Sequence, residues 1–252
     1  MAAGTDHSDS NGTEAETATA DDGATRPSPI DRAFLTNDPG AGQLILIRHG
    51  QQQWPDQETS TVGDWVDPPL SELGRRQAAA VARYLAVEPI TAVYSSQLKR
   101  AYDTGLAVAE AHGLVQETIQ QLEEIHLYGK LPKDSRPIDL LGEKVSSGIR
   151  ERFVLTKQWD AYPDSETSVD FRRRVGYAME AAIIDHPGET VAVACHGGVI
   201  NAYLADILDV RMDMFYRPSH ASVHRVRFKD GLRVIDSLNE QAFLRDQDLL
   251  SH

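Results

Sequence analysis

The chain has 252 residues, enough for one substantial domain, and its 41% hydrophobic content is that of a globular core. Its 38 acidic residues against 25 basic ones, a formal charge of -13, argue against nucleic acid or anionic membrane as a general partner, so any anion must be captured locally. One cysteine, Cys195, excludes an internal disulfide and a thiolate zinc site; with no secretory pattern and no bilayer-length apolar run, the expected place is a reducing cytoplasm.

Residues 1–42 are small, polar and acidic, without helical or strand period, and read as a disordered tail ahead of a catalytic domain over 43–252. The domain opens on "QLILIR", the continuous apolar run of a strand covered on both faces. A loop with Trp54 and Trp65 follows, expected to cover apolar surface, and then Ser71 caps an amphipathic helix, "SELGRRQAAAVARYLAV". "ITAVYSS" is a second buried strand, "QLKRAYDTGLAVAEAHG" a helix and "VQETIQ" a short extended piece. A polar, proline-bearing stretch from Tyr128 to Pro137 leads to helices expected in Leu140–Ala161 and Val169–Asp185, and the mixed charges of Tyr128–Ser168 suggest a solvated helical cap over the pocket. "TVAVAC" is the third buried strand, "GGVINAYLADIL" a helix opened by glycines, and "SVHRVRFKDGLRVIDSL" a hairpin turning at Asp230-Gly231. This alternation predicts an α/β fold: a three-layer α/β/α sandwich with a mainly parallel central sheet and a helical cap insertion. Its ligand belongs beyond the carboxyl ends of the strands.

Three buried strands end in residues a core would not choose: Arg48-His49, "YSSQLKR" leading to Arg100, and His196. Two imidazoles and two guanidiniums at one crevice make an electropositive pocket suited to a phosphoryl group. Gly50 is expected to let the chain turn sharply after His49, and Gly197-Gly198 to open a helix whose N–H groups hold an oxyanion. A neutral histidine attacks phosphorus through one ring nitrogen when the other N–H is tied to an acceptor, and His49 is the candidate nucleophile. A carboxyl beside phosphate can hold the proton a leaving oxygen needs, and "QLEEIHLYG" offers Glu123 and Glu124.

"LILIRHG", "PLSELGRRQA", "VYSSQLKRAYDT", "LEEIHLYG" and "VAVACHGGVI", in this order, resemble the histidine phosphatase superfamily, the fold shared with cofactor-dependent phosphoglycerate mutases. A lone Arg-His-Gly tripeptide is weak, but five ordered segments over Gln43 to Asn239 are specific. The resemblance implies that His49 is phosphorylated, that Arg48, Arg100 and His196 bind and stabilise the phosphoryl group, and that Glu124, at the third position of Leu-x-Glu, is the proton donor. Gln51 matches a position where the family commonly has Glu or Gln, and with Gly197 is expected to contact phosphate. The implied reaction is metal-independent and cofactor-free hydrolysis of a small phosphorylated metabolite. Pro55 stands where the family's asparagine follows the tryptophan, and the cap lacks the mutases' arginine pair and proline run, which favours phosphatase over mutase.

Other readings are weaker. A Cys-x5-Arg phosphate loop at Cys195 needs arginine at residue 201, where Asn201 stands, and strand alternation sends Cys195 into the core if His196 faces the pocket. A metal on His49 and His196 would lack a further ligand close in sequence and be repelled by two arginines. His220, ahead of the hairpin, reads as a solvated loop residue. A phosphate-binding protein without chemistry is the remaining alternative, and the sequence leaves the oligomeric state open.

Overall fold

The structure, a computed structural model, describes residues 1, 27–56 and 59–252. Among these residues six strands form one sheet: β1 (Gly42–Arg48), β2 (Ile90–Ser95), β3 (Gln116–Thr118), β4 (Thr190–Cys195), β5 (Val223–Lys229) and β6 (Leu232–Glu240), in the spatial order β3-β2-β4-β1-β5-β6. Only β5 runs against the rest, pairing antiparallel with both β1 and β6. The expected α/β architecture with a mainly parallel sheet is therefore the observed one.

β1 forms because Leu44, Ile45, Leu46 and Ile47 are fully buried on both faces, each contributing about 1.5–3 kcal/mol. Its alternation divides the core. Leu44 and Leu46 pack with helices α7 (Ser168–Ile184) and α8 (Gly197–Leu208), whereas Ile45 and Ile47 pack with α3 (Glu72–Leu85) and α4 (Lys99–His112). Ser71 caps α3 by accepting from the Gly74 N–H at 3.0 Å, and Gly113 closes α4 in the left-handed conformation at φ 66°.

The cap expected as a helix in Leu140–Ala161 is broken into α5 (Pro137–Leu141), α6 (Glu143–Thr156) and a single 3-10 turn at Trp159–Ala161. Gly142, at φ 77°, separates the first two. Buried Asp213 ties the cap down, accepting from the Trp159 N–H at 2.8 Å, Ser168 Oγ at 2.5 Å and Arg172 Nε at 3.0 Å. The cap also reaches the pocket rim, where Val62 and Gly63 donate to the carbonyls of Ser135 and Lys133, each across 2.8 Å.

The tail expected over 1–42 falls partly outside the described residues, which omit 2–26. Beyond them the chain departs from that expectation. Ser28 caps a short helix α1 (Pro29–Ala33), Leu35 is buried, and Asp38 pairs with Lys229 at 2.8 Å. One apolar side chain and one ion pair are local signals too small for a periodicity to expose. Two further short helices, α2 (Val62–Val66) and α9 (Ala242–Arg245), escaped sequence reading for the same reason.

Candidate active site

The carboxyl ends of β1, β2 and β4 bring Arg48, His49, Ser96, Arg100 and His196 together. Backbone bonds fix the β1 end from both sides: the His49 N–H donates to the Cys195 carbonyl at 2.9 Å, and the His49 carbonyl accepts from Ala221 at 3.1 Å. The Gly50 N–H donates to Thr104 Oγ1 at 3.0 Å, and Thr104 Oγ1 donates to the Arg100 carbonyl at 2.7 Å. One hydroxyl thus couples the histidine loop to the arginine's helix.

His49 is buried, and its Nδ1 lies 2.7 Å from the Gly50 carbonyl oxygen. A carbonyl only accepts, so Nδ1 carries the proton and Nε2 keeps its lone pair. Burial first, and then Arg100, His196 and Arg48, hold the imidazole well below its ordinary value. His196, fully buried and lowered in the same way, has its ring centre 5.1 Å from that of His49, with Nε2 2.9 Å from Ser96 Oγ.

Arg100 is buried and Arg48 partly so, and among the described residues neither makes an ion pair with a carboxylate. Arg48 donates through Nη1 to the Pro218 carbonyl and through Nη2 to His220 Nε2 at 3.1 Å; Arg100 donates through Nη1 to the Val66 carbonyl at 3.1 Å. Burial lowers the Arg48 guanidinium to about 10, against the opposing pull of Glu124. Arg48 Nε, Arg100 Nε and His196 Nδ1 are buried without a hydrogen-bond partner among the described residues. Orphaned buried groups are rare in folded proteins, and three of the eight among the described residues meet at this one crevice.

The two candidate carboxylates separate. Glu123 engages His126 Nε2 at 2.9 Å and Gln97, away from the crevice. Glu124 sits under the start of α8: Oε2 accepts from the Gly198 N–H at 3.1 Å and Oε1 from its neighbour Ile125 at 3.0 Å. Gly198 therefore spends its N–H on Glu124 instead of on an anion. Gly197 lies against Arg48, where a Cβ would stand 3.5 Å from Nε.

The Gln51 Oε1 accepts from Ser71 Oγ at 2.8 Å at the head of α3. Some expectations need correction. Gly50 is needed for a close approach: a Cβ there would lie 2.5 Å from the Gly74 carbonyl oxygen, and its φ is not positive. His220 is fully buried, its ring centre 5.7 Å from that of His49, because β5 runs antiparallel beside β1 and starts at the site. Trp54 and Trp65 stand half-exposed at the mouth, ring centres 6.3 Å apart, with Trp54 6.5 Å from His220. They line or adjoin a cavity of about 550 Å³ that also reaches Asp64, Asp67 and Lys99. Cys195 is buried in the core, as expected, and burial pushes its thiol up.

Residues 44–241 match the histidine phosphatase superfamily (branch 1). The chain belongs to this superfamily. Among its relatives is a probable phosphoglycerate mutase, GpmB, of Yersinia pestis, 29% identical over 188 residues that cover 75% of this chain and 81% of that protein. The solved structure of a mycobacterial glucosyl-3-phosphoglycerate phosphatase with VO3 superposes with a TM-score of 0.63 at 28% identity, covering 78% of this chain and 98% of the other. YhfR of Bacillus stearothermophilus shares the fold, with a TM-score of 0.68 at 23% identity, covering 81% and 99% of the two chains. This histidine phosphatase superfamily member has no helix among its described residues long and apolar enough to cross a membrane.

Proposed function

We propose that the chain is a metal-independent phosphomonoesterase that works through a phosphohistidine on His49. The observation that carries this reading is the neutral, tautomerically fixed His49 beside three buried nitrogens with no internal partner, Arg48 Nε, Arg100 Nε and His196 Nδ1, the last a donor when Nε2 accepts from Ser96 Oγ. Those donors fit the equatorial oxygens of a phosphoryl group and supply the positive charge that a metal provides at other phosphoryl-transfer sites. Likeness to a glucosyl-3-phosphoglycerate phosphatase supports the same class of chemistry.

In the proposed cycle the Nε2 lone pair of His49 forms a bond to phosphorus while the bond to the leaving oxygen breaks. Glu124, protonated, delivers its proton to that oxygen and becomes a carboxylate. A water then gives its proton to Glu124 as its oxygen bonds to phosphorus and the phosphorus–Nε2 bond breaks, its electron pair returning to His49, which releases inorganic phosphate and restores both side chains. The Gly50 carbonyl holds the Nδ1 proton throughout and stabilises the positive ring of the intermediate. A small phosphorylated metabolite is the proposed substrate, its leaving group resting in the cavity beside Trp54 and Asp67.

The test is phosphate release from a panel of phosphomonoesters in EDTA, with His49→Ala as control. Metal-independent release that vanishes in the variant is the expected result, and release that survives the substitution would remove His49 from the mechanism. The named likeness to a probable phosphoglycerate mutase gives the second reading. Conversion of 3-phosphoglycerate to its 2-isomer with a bisphosphate primer, without net phosphate release, would replace the phosphatase by the mutase.

A further inference from the structure

Arg48 is held by groups that lie about 170 residues away in sequence. Its Nη1 donates to the Pro218 carbonyl and its Nη2 meets His220 Nε2 at 3.1 Å. A guanidinium has donors only, so His220 Nε2 is the acceptor and the proton of the neutral ring sits on Nδ1. That Nδ1 lies 2.9 Å from Ser251 Oγ, which therefore accepts from it. Ser251 Oγ also accepts from Gln77 Nε2 at 2.8 Å, and the His220 N–H donates to the Ser251 carbonyl at 3.0 Å.

Gln77 is the fully buried amide on the otherwise apolar core face of α3. It closes the circuit: Nε2 also donates to the Leu249 carbonyl at 2.7 Å, and Oε1 accepts from the Gln51 N–H at 2.7 Å, three residues beyond Arg48. The segment around Ser251 is thereby stitched to both flanks of the histidine loop. With both Nη atoms committed to protein acceptors, the guanidinium has one orientation, and that orientation leaves Nε as the buried donor without a partner.

We infer that His220 is a positioning residue for Arg48, locked by Ser251 and Gln77, so that this relay aims the guanidinium at the anion. The inference rests on the proposed phosphoryl-transfer reading of the site. It differs from a packing role for His220 because it depends on one acceptor atom. Glutamine at 220 offers an amide oxygen at a reach similar to that of Nε2, whereas alanine offers nothing.

The experiment compares wild type with His220→Ala, His220→Gln and Ser251→Ala by inorganic phosphate binding and by NMR of the Arg48 guanidinium, assigned through Arg48→Lys. His220→Ala should weaken phosphate binding about tenfold and Ser251→Ala about threefold, the worth of a charge-assisted hydrogen bond and of its support. Rotation about the Arg48 guanidinium bonds should be slow in wild type and His220→Gln and fast in His220→Ala. Unchanged rotation in the alanine variant, or glutamine no better than alanine, overturns the relay. Should His220→Ala not fold, Ser251→Ala carries the test, and unchanged rotation and affinity there overturn it. A wild type that binds no phosphate, yet whose Arg48 rotation still depends on residue 220, supports the relay and overturns the function proposed for its site.

Discussion

Gly198 and Glu124 occupy one another's space: a Cβ at residue 198 would lie 2.3 Å from Glu124 Oε1, while the Gly198 N–H donates to Oε2 across 3.1 Å. The obstructing atom is the far end of a flexible side chain, so a methyl group there moves the carboxylate before it disturbs the fold. Gly198→Ala should lower kcat about tenfold or more, part of what a general acid supplies, and leave the thermal midpoint nearly unchanged. Full activity in that variant would remove Glu124 from the position proposed for the proton donor.

Arg100 donates to the Val66 carbonyl and presents a buried, unpartnered Nε. Lysine keeps the charge but lacks the planar fork, so Arg100→Lys should cost about a hundredfold in kcat/KM. Steady-state kinetics of the variant check this, and a loss confined to a few-fold would mean that charge alone suffices.

The buried imidazoles make stability depend on pH. His49 and His196 are held well below the ordinary value and His220 and His224 fall to about 3, burial being the first cause in each. Below about pH 6.5 the unfolded chain takes up protons that the folded one refuses, so stability is full above that pH and declines beneath it. Each histidine contributes up to about 1.4 kcal/mol per pH unit over that range. Thermal midpoints between pH 7.5 and 5 should fall steadily below 6.5, and a flat profile would contradict the burial of neutral rings. The same depression keeps His49, the proposed nucleophile, neutral in mild acid, so the acid limb of kcat/KM should lie below pH 6.5.

Cys195 lies next to His196 but faces the α7 and α8 layer with Val191 and Val193. Cys195→Ala should keep activity within about twofold and cost roughly 1 kcal/mol of stability for the small cavity. Loss of turnover in a folded variant would reopen a thiol mechanism.

Strands and long helices were legible because their signals are local. Four apolar residues ending in Arg48 announce a buried strand, and the spacing from Ser71 to Leu85 announces α3. The site was legible where a strand end carries an out-of-place side chain, as at Arg48, His49 and His196, while the preference for Glu124 came from the family resemblance alone. His220 was not: its burial depends on β5 lying beside β1, a neighbour relation joining residues about 170 positions apart. Gln51 carries a contact the sequence did not announce, its Oε1 accepting from Ser71 Oγ at the head of α3. Glu123 and Glu124 are chemically alike in sequence, and only the start of α8 separates their surroundings.

The strand order has a consequence for synthesis. Among the described residues β1 is the first strand made, yet it lies inside the sheet, and β5, which covers its second edge, starts at Val223. At ~5–20 residues per second, a nascent chain carries Leu44–Ile47 for roughly 10–40 s before that partner exists. An apolar strand with an open edge is a template for wrong pairing. The segment left with that open edge is the one that leads into the proposed nucleophile; a chain stopped before β5 lacks the cover for that edge, and one stopped ahead of residue 220 also lacks His220, the residue inferred to position Arg48.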